Sequence, residues 1–205
     1  MSNFRIEHDS LGEINIDQNA LYGANSQRAF ENFNISGLGM DGKFIDAILE
    51  VKKTCAIENG KIGLLTEVET DAIVKACEKL IAGQNRDNFI VDPIQGGAGT
   101  SFNMNANEVI ANIAEISLGG KAGEYKIIHP NDHVNKGQST NDVIPTSGKI
   151  ALIRYFKELS EEANKLIDSL NKKAEEFADV YKMGRTQLQD AIPMSLGQEF
   201  TAYAR

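Results

Sequence analysis

From Lys149 to Lys182 the chain holds neither glycine nor proline, while Phe156, Leu159, Ala163, Leu166, Leu170, Ala174 and Phe177 recur at near-heptad spacing. Such a run predicts one helix on the order of 50 Å long at about 1.5 Å per residue, more than a compact small domain covers alone. Its apolar stripe needs partner helices, which commits the chain to a mainly α architecture built toward a helical bundle. The start of that helix, near Asn141, is the candidate boundary, giving an N-terminal domain over 1–140 and the start of a bundle over 141–205. No low-complexity tract, repeat or Pro/Gly/Ser linker offers another.

Upstream, Phe4, Ile6, Ile14 and Ile16 alternate with polar residues around Asp9-Ser10-Leu11-Gly12, which predicts a short β-hairpin. The Asn-, Gly- and Ser-rich stretch from Ala20 to Gly42 reads as loop. Phe44, Ile48, Val51 and Cys55 predict a helix from Lys43 to Asn59. Thr66-Glu67-Val68-Glu69 has the form of a capping box, opening a second helix that Gly83 stops. A third runs from Ser101 to Leu118, with Ala106, Ile110, Ile113 and Ser117 on one face. Near the end, Pro193 fits a first helical turn and Leu196, Phe200 and Tyr203 begin another stripe.

The net charge of −8 and the lack of any basic run exclude nucleic acid and an anionic membrane surface as partners. An acidic small molecule therefore needs a local positive pocket, for which Lys136 and Arg185 are the candidates, with His129 and His133 beside Lys136. The mixed, charged run from Met1 to Ser10 and the lack of an apolar run of membrane-spanning length lead to the expectation of a soluble chain. Cys55 and Cys77 make no disulfide framework, and a reducing cytoplasm fits them.

Three polar segments stand out. In the run from His129 to Asp142, Ser139, Thr140 and Asn141 offer two hydroxyls and a carboxamide, neutral donors suited to a carboxylate, at the point where a loop feeds the long helix. Asn141 or Asp142 can also cap that helix. In Gln95-Gly96-Gly97-Ala98-Gly99-Thr100-Ser101 the glycines fit neither a dinucleotide fingerprint nor a nucleotide loop with its lysine. A tight turn into a helix and a carboxylate-binding loop with Thr100 as donor both stay open. The third segment, Gly184-Arg185-Thr186-Gln187-Leu188-Gln189-Asp190, carries one guanidinium, either a site group or an ion pair that anchors the loop. His129 and His133 have metal-ligand spacing, but Pro130 disfavours helix at His129 and no third ligand follows. Ser139, His133 and Asp142 lack the nucleophile-elbow sequence of a hydrolase.

Together and in this order, the three segments, with Asn103-Met104-Asn105-Ala106-Asn107-Glu108-Val109 after the first, resemble the aspartase/fumarase superfamily, and the likeness runs the whole chain, including Leu21-Tyr22-Gly23 and Glu31-Asn32-Phe33. Fumarases usually show Thr-Gly-Ser-Gly-Thr where this chain has Gly96-Gly97-Ala98-Gly99-Thr100, and histidine at Gln187, so the resemblance leans to the aspartase branch. It implies a homotetramer and reversible deamination of L-aspartate to fumarate and ammonia through an aci-carboxylate; no cofactor is expected, and no metal site. By motif, Thr100, Ser139 and Thr140 would hold the carboxylate that gains charge, Asn141 and Gln187 would face the amino group, and Thr186 the other carboxylate. His129, Asn131 and Asp132 match a secondary anion site of fumarases. The family's catalytic serine loop is expected beyond Arg205, so the fragment alone is expected to be inactive. A fumarase-type hydratase and a non-catalytic dicarboxylate-binding module are the alternatives.

Overall fold

The computed structural model describes residues 4–205, so the first three positions of the Met1–Ser10 run lie outside the described residues. The chain divides into two compact units, one ending at Ala151 and one running Leu152–Arg205.

In the first unit, β1 (Phe4–Asp9) and β2 (Gly12–Asp17) form the expected antiparallel hairpin, paired from Phe4↔Asp17 to Asp9↔Gly12. The face that β1 buries is polar, however: Glu7 is buried, whereas Phe4 and Ile6 are exposed. The Arg5 guanidinium explains this, because it donates to the carbonyls of Asp17, Ala20 and Tyr22 and pairs with Glu7. Glu7 in turn accepts from the Ala24 amide, so the hairpin's polar face ties down the next connection.

That connection is not all loop. A helix, α1 (Ala24–Asn32), occupies part of the Ala20–Gly42 stretch read as irregular, and it begins without a side-chain cap of its own. Its cap comes from elsewhere in the chain. The buried Glu108 carboxylate accepts from the amides of Gly23, Asn25 and Ser26 at 2.9, 2.9 and 3.1 Å, and from the Ser26 hydroxyl and Asn25 side-chain amide. A negative charge on those orphan N–H groups also complements the helix dipole.

Next come α2 (Gly42–Lys61), capped by the Asp41 side chain, and α3 (Glu67–Ile81), opened by the expected capping box of Thr66 and Glu69. Against both packs α4 (Thr100–Ser117), and Ile48, Leu49, Ile73, Cys77, Leu80, Phe102 and Ile110 form the core. The sequence pattern gives α4 one apolar face, yet every residue from Asn105 through Glu115 is buried. Several of its polar side chains are covered because they hold loops: Asn105 bonds Asn88 and Ile90, Asn112 bonds Leu21 and Gly123, and Glu115 accepts from the amides of Lys126, Ile127 and Ile128. Buried polar groups so satisfied act as fasteners rather than as liabilities.

The long helix α5 spans Thr140–Glu176, opening where the sequence placed its entry, near Asn141, and closing at Glu176 rather than Lys182. Pro145 lies within it. The missing proline N–H forfeits one bond to the Asn141 carbonyl, and Asn141 lies in the exposed first turn of the helix.

In the second unit, the segment expected to be polar loop followed by a proline-led helix is a hairpin, β3 (Tyr181–Thr186) with β4 (Gln189–Ser195). Pro193 sits opposite Met183 in β4, where a two-stranded ribbon tolerates its missing donor. The helix starts later, as α6 (Leu196–Ala204), capped by a Ser195/Gln198 capping box. Along α5, Phe156, Leu159 and Leu166 remain 60–69% exposed, so the apolar stripe is largely uncovered.

Glu108→Gln keeps the size of the side chain but turns one acceptor into a donor that faces N–H groups. Urea unfolding should show a loss of about 3 kcal/mol or more, the range for breaking charged hydrogen bonds inside a protein. A loss below about 0.5 kcal/mol would mean that the carboxylate does not hold α1.

Candidate functional site

The glycine loop before α4 is braced by one side chain: Gln95 donates to the Asp92 carbonyl at 2.8 Å and accepts from the Phe102 amide at 2.8 Å. Gly97 and Gly99 have φ of 69° and 84°, the left-handed region that favours glycine, and a Cβ on Gly99 would press on the Ile144 side chain. This close approach brings the N-terminus of α4 against the first turns of α5. Thr100, the first residue of α4, is exposed there.

At the start of α5 the amides of Asp142 and Val143 donate to the Ser139 carbonyl, and the Asn141 amide donates to the Ser139 hydroxyl at 3.2 Å. Ser139, and not Asn141 or Asp142, therefore caps the helix. Ser139 and Asn141 are exposed, and Thr140 is half-buried with its hydroxyl oxygen accepting from Asn103 Nδ2 at 3.1 Å. Thr100, Ser139 and Thr140 thus belong to two adjoining helix N-termini, a location that favours negative charge and presents hydroxyl donors to it.

Beneath them lies a cation absent from the sequence-based candidates. Lys52 of α2 is fully buried, and its Nζ donates to Asn135 Oδ1 at 2.8 Å and Gln138 Oε1 at 2.9 Å. Among the described residues it meets no carboxylate, and burial pushes its pKa down to about 7. The residue was legible in principle, since it follows Ile45, Ile48 and Leu49 and precedes Ala56 on the buried face of α2. Lys136 offers the site its backbone instead: its carbonyl accepts from Asn59 Nδ2.

His129 opens a π-helical turn, Pro130–Val134, and its Nδ1 accepts from the amides of Asn131 and Asp132, each at 3.3 Å. Nδ1 also lies 3.3 Å from Asp132 Oδ2. A nitrogen accepting two N–H groups carries no proton, so we assign the proton to Nε2 and read the Asp132 approach as a contact rather than an ion pair. His133 Nδ1 accepts from the His129 amide at 2.8 Å, with Nε2 3.6 Å from Glu69. Both Nδ1 atoms are thus spent on backbone, and among the described residues no group of three or more His, Cys, Asp or Glu side chains could hold a metal.

In the second unit, Thr186 and Gln189 pair across a two-residue turn whose Gln187 and Leu188 have φ of 49° and 63°. Glycine or asparagine usually fills such a turn, so this conformation costs on the order of 1 kcal/mol or more per residue. Thr186 and Gln187 are exposed, and Arg185 pairs with Asp190 at 3.2 Å, the anchoring role open to it from the sequence.

The first unit is mainly helical, and its buried central helix α4 ties down the polar loops around it. A sequence model of the lyase family matches residues 12–205, and the chain belongs to that family. It is 52% identical over 201 residues to the aspartate ammonia-lyase of Bacillus sp., covering 98% of this chain and 43% of that protein. It is 49% identical over 201 residues to the class II fumarate hydratase of Halobacterium salinarum, again covering 98% of this chain and 43% of the relative. Among solved structures, a cobalt-bound fumarate lyase:delta crystallin from Brucella melitensis aligns with a TM-score of 0.82 at 48% identity, over 98% of this chain and 44% of the other. The chain therefore spans less than half the length of these relatives.

The Lys52 environment has a pH signature. An unfolded lysine titrates near ~10.4. Between about pH 7 and that value the unfolded chain binds a proton that the folded chain does not, so stability rises with pH. Burial also pushes Cys77 up to about 12, which acts oppositely once unfolded thiols ionise, leaving pH 7 to 8.5 as the clean window. The stability of Lys52→Met relative to the parent should be highest at or below pH 7 and should fall as pH rises to 8.5, because the parent alone gains stability over that range. A difference that does not change with pH in urea unfolding would contradict this.

Proposed function

We propose that this chain supplies part of the active site of an ammonia-lyase that reversibly converts L-aspartate to fumarate and ammonia. The observation that carries the reading is the adjoining pair of helix N-termini with Thr100, Ser139 and Thr140 along their rim. In the reaction a base takes the proton from the carbon next to one carboxylate, and the electron pair moves into that carboxylate as the aci-form. Collapse of the aci-carboxylate forms the double bond and expels ammonia from the neighbouring carbon. Donors held in advance against the doubly charged carboxylate bind it better than the ground state, which lowers the barrier.

Thr100, Ser139 and Thr140 take that part with Asn141 toward the amino group, whereas Gln187 serves the amino group and Thr186 the second carboxylate of a composite site in the assembled enzyme, where one chain contributes to more than one site. The base belongs to a serine loop in the remainder of the enzyme. His129, Asn131 and Asp132 form the secondary anion site, where the Asn131 and Asp132 amides already serve His129, so an anion there must displace the imidazole or rely on side chains. The exposed Phe156, Leu159 and Leu166 support an assembly whose helices pair along α5, which we read, with the family resemblance, as a homotetramer; the cytoplasm is the location that goes with that resemblance. Gly96, Gly97, Ala98, Gly99 and Gln187 favour deamination over hydration, whereas the 49% identity to a fumarate hydratase favours the second reading, a fumarase-type hydratase.

In the full-length enzyme, L-aspartate should yield fumarate, and fumarate alone should yield no appreciable malate. Ser139→Ala and Thr140→Ala should each lower turnover by roughly ten- to a thousandfold, as when one oxyanion donor is lost, while the lost cap or hydrogen bond costs only about 1 kcal/mol of stability. Malate at a comparable rate would favour the hydratase. Variants that melt early yet turn over normally while folded would leave these side chains with a capping role alone.

A further inference from the structure

The hydrogen bonds under the start of α5 have a direction. Asn135 Nδ2 donates to the Gln138 carbonyl at 3.1 Å, and Gln138 Nε2 donates to the Val134 carbonyl at 2.8 Å. A backbone carbonyl only accepts, so both amides are fixed with their oxygens turned inward to Lys52. Asn135 Oδ1 then accepts from three groups: Lys52 Nζ, Asn103 Nδ2 at 3.2 Å and Asn107 Nδ2 at 3.2 Å. Asn103, 2% exposed, uses its two N–H bonds on Asn135 Oδ1 and the Thr140 hydroxyl oxygen.

This leaves Asn103 Oδ1 and Asn107 Oδ1 buried without a partner among the described residues, an expensive condition that a freely chosen orientation would avoid. Turning the Asn103 amide over would set its oxygen against Asn135 Oδ1, acceptor against acceptor. The neighbours therefore impose the orientation, and its consequence falls on Thr140. A hydroxyl that accepts from Asn103 cannot also donate to it, so its own hydrogen is left for another acceptor.

We propose that Asn103, oriented by Asn135 and Lys52, is a positioning residue that holds the Thr140 hydroxyl as a donor to the substrate carboxylate. The proposal rests on the reading of Thr140 as a carboxylate donor and deepens it: the donor is set before substrate arrives, so no hydroxyl rotation is needed as charge develops. Without Asn103 the hydroxyl turns freely and is a donor only part of the time.

A double-mutant cycle in the full-length enzyme tests this, using Asn103→Leu, Thr140→Ala and the pair together, with kcat/KM and melting temperature read for each. Leucine matches asparagine in size and adds no charge, and Asn103→Ala run alongside gives the same coupling should leucine not be accommodated. Asn103→Leu should lower kcat/KM about tenfold through kcat, and should cost less than about threefold when Thr140→Ala is already present. An equal loss in both backgrounds would overturn the proposal, because Asn103 would then act otherwise than through Thr140. So would activity within about threefold of the parent, or a loss that follows the melting temperature. If Thr140→Ala is itself fully active, the reading of Thr140 as a donor fails and this inference with it; loss at Thr140 without coupling overturns this inference alone.

Discussion

The Glu108 carboxylate, buried on α4 and filled by the first amides of α1, is the contact on which the rest of the first unit depends. A carboxylate inside a protein is costly unless its oxygens are occupied, and here the uncapped end of a helix occupies them. Each group removes the other's penalty. The same arrangement recurs one helical stretch later, where Glu115 takes the amides of Lys126, Ile127 and Ile128 and so fixes the approach to His129. α4 is thus both the centre of the apolar core and the post to which the loops are tied.

This explains why the rim of hydroxyls can be precise. Asn103 reaches Thr140 from the same helix that carries Glu108 and Glu115, and Thr100 is that helix's first residue. Loop side chains placed by surface turns alone would lose their geometry with each fluctuation. Here the hydroxyls of two segments far apart in sequence are referred to one rigid element, the condition for electrostatic preorganisation. The buried Lys52 fits the same scheme, a cation held on two side-chain oxygens rather than on a carboxylate.

Much of this was legible in the sequence where the determinants are local. The α3 capping box lies within four residues, and the hairpin of β1 and β2 follows from alternation around Asp9 and Gly12. The polar run through Ser139, Thr140 and Asn141 announced itself by composition. The failures have the opposite cause. α1 looked like loop because its cap comes from Glu108, 85 residues from Gly23. The β3–β4 hairpin was hidden because Gln187 and Leu188 fill a turn that glycine or asparagine would have signalled, and Pro193 imitated a helix start. Lys52 was not among the sequence candidates, and only its burial sets it apart from Lys53, which reaches outward to Glu78. Asn103 was visible as part of a motif, but its partner at Thr140 could only be seen in space.

Hydrogen exchange of individual backbone amides tests the central claim, that α4 holds these loops through buried carboxylates. The amides of Gly23, Asn25, Ser26, Lys126, Ile127 and Ile128 should exchange as slowly as those in the middle of α4, because they open only when the core does. Exchange at the rate of ordinary exposed loops, with α4 itself protected, would contradict it.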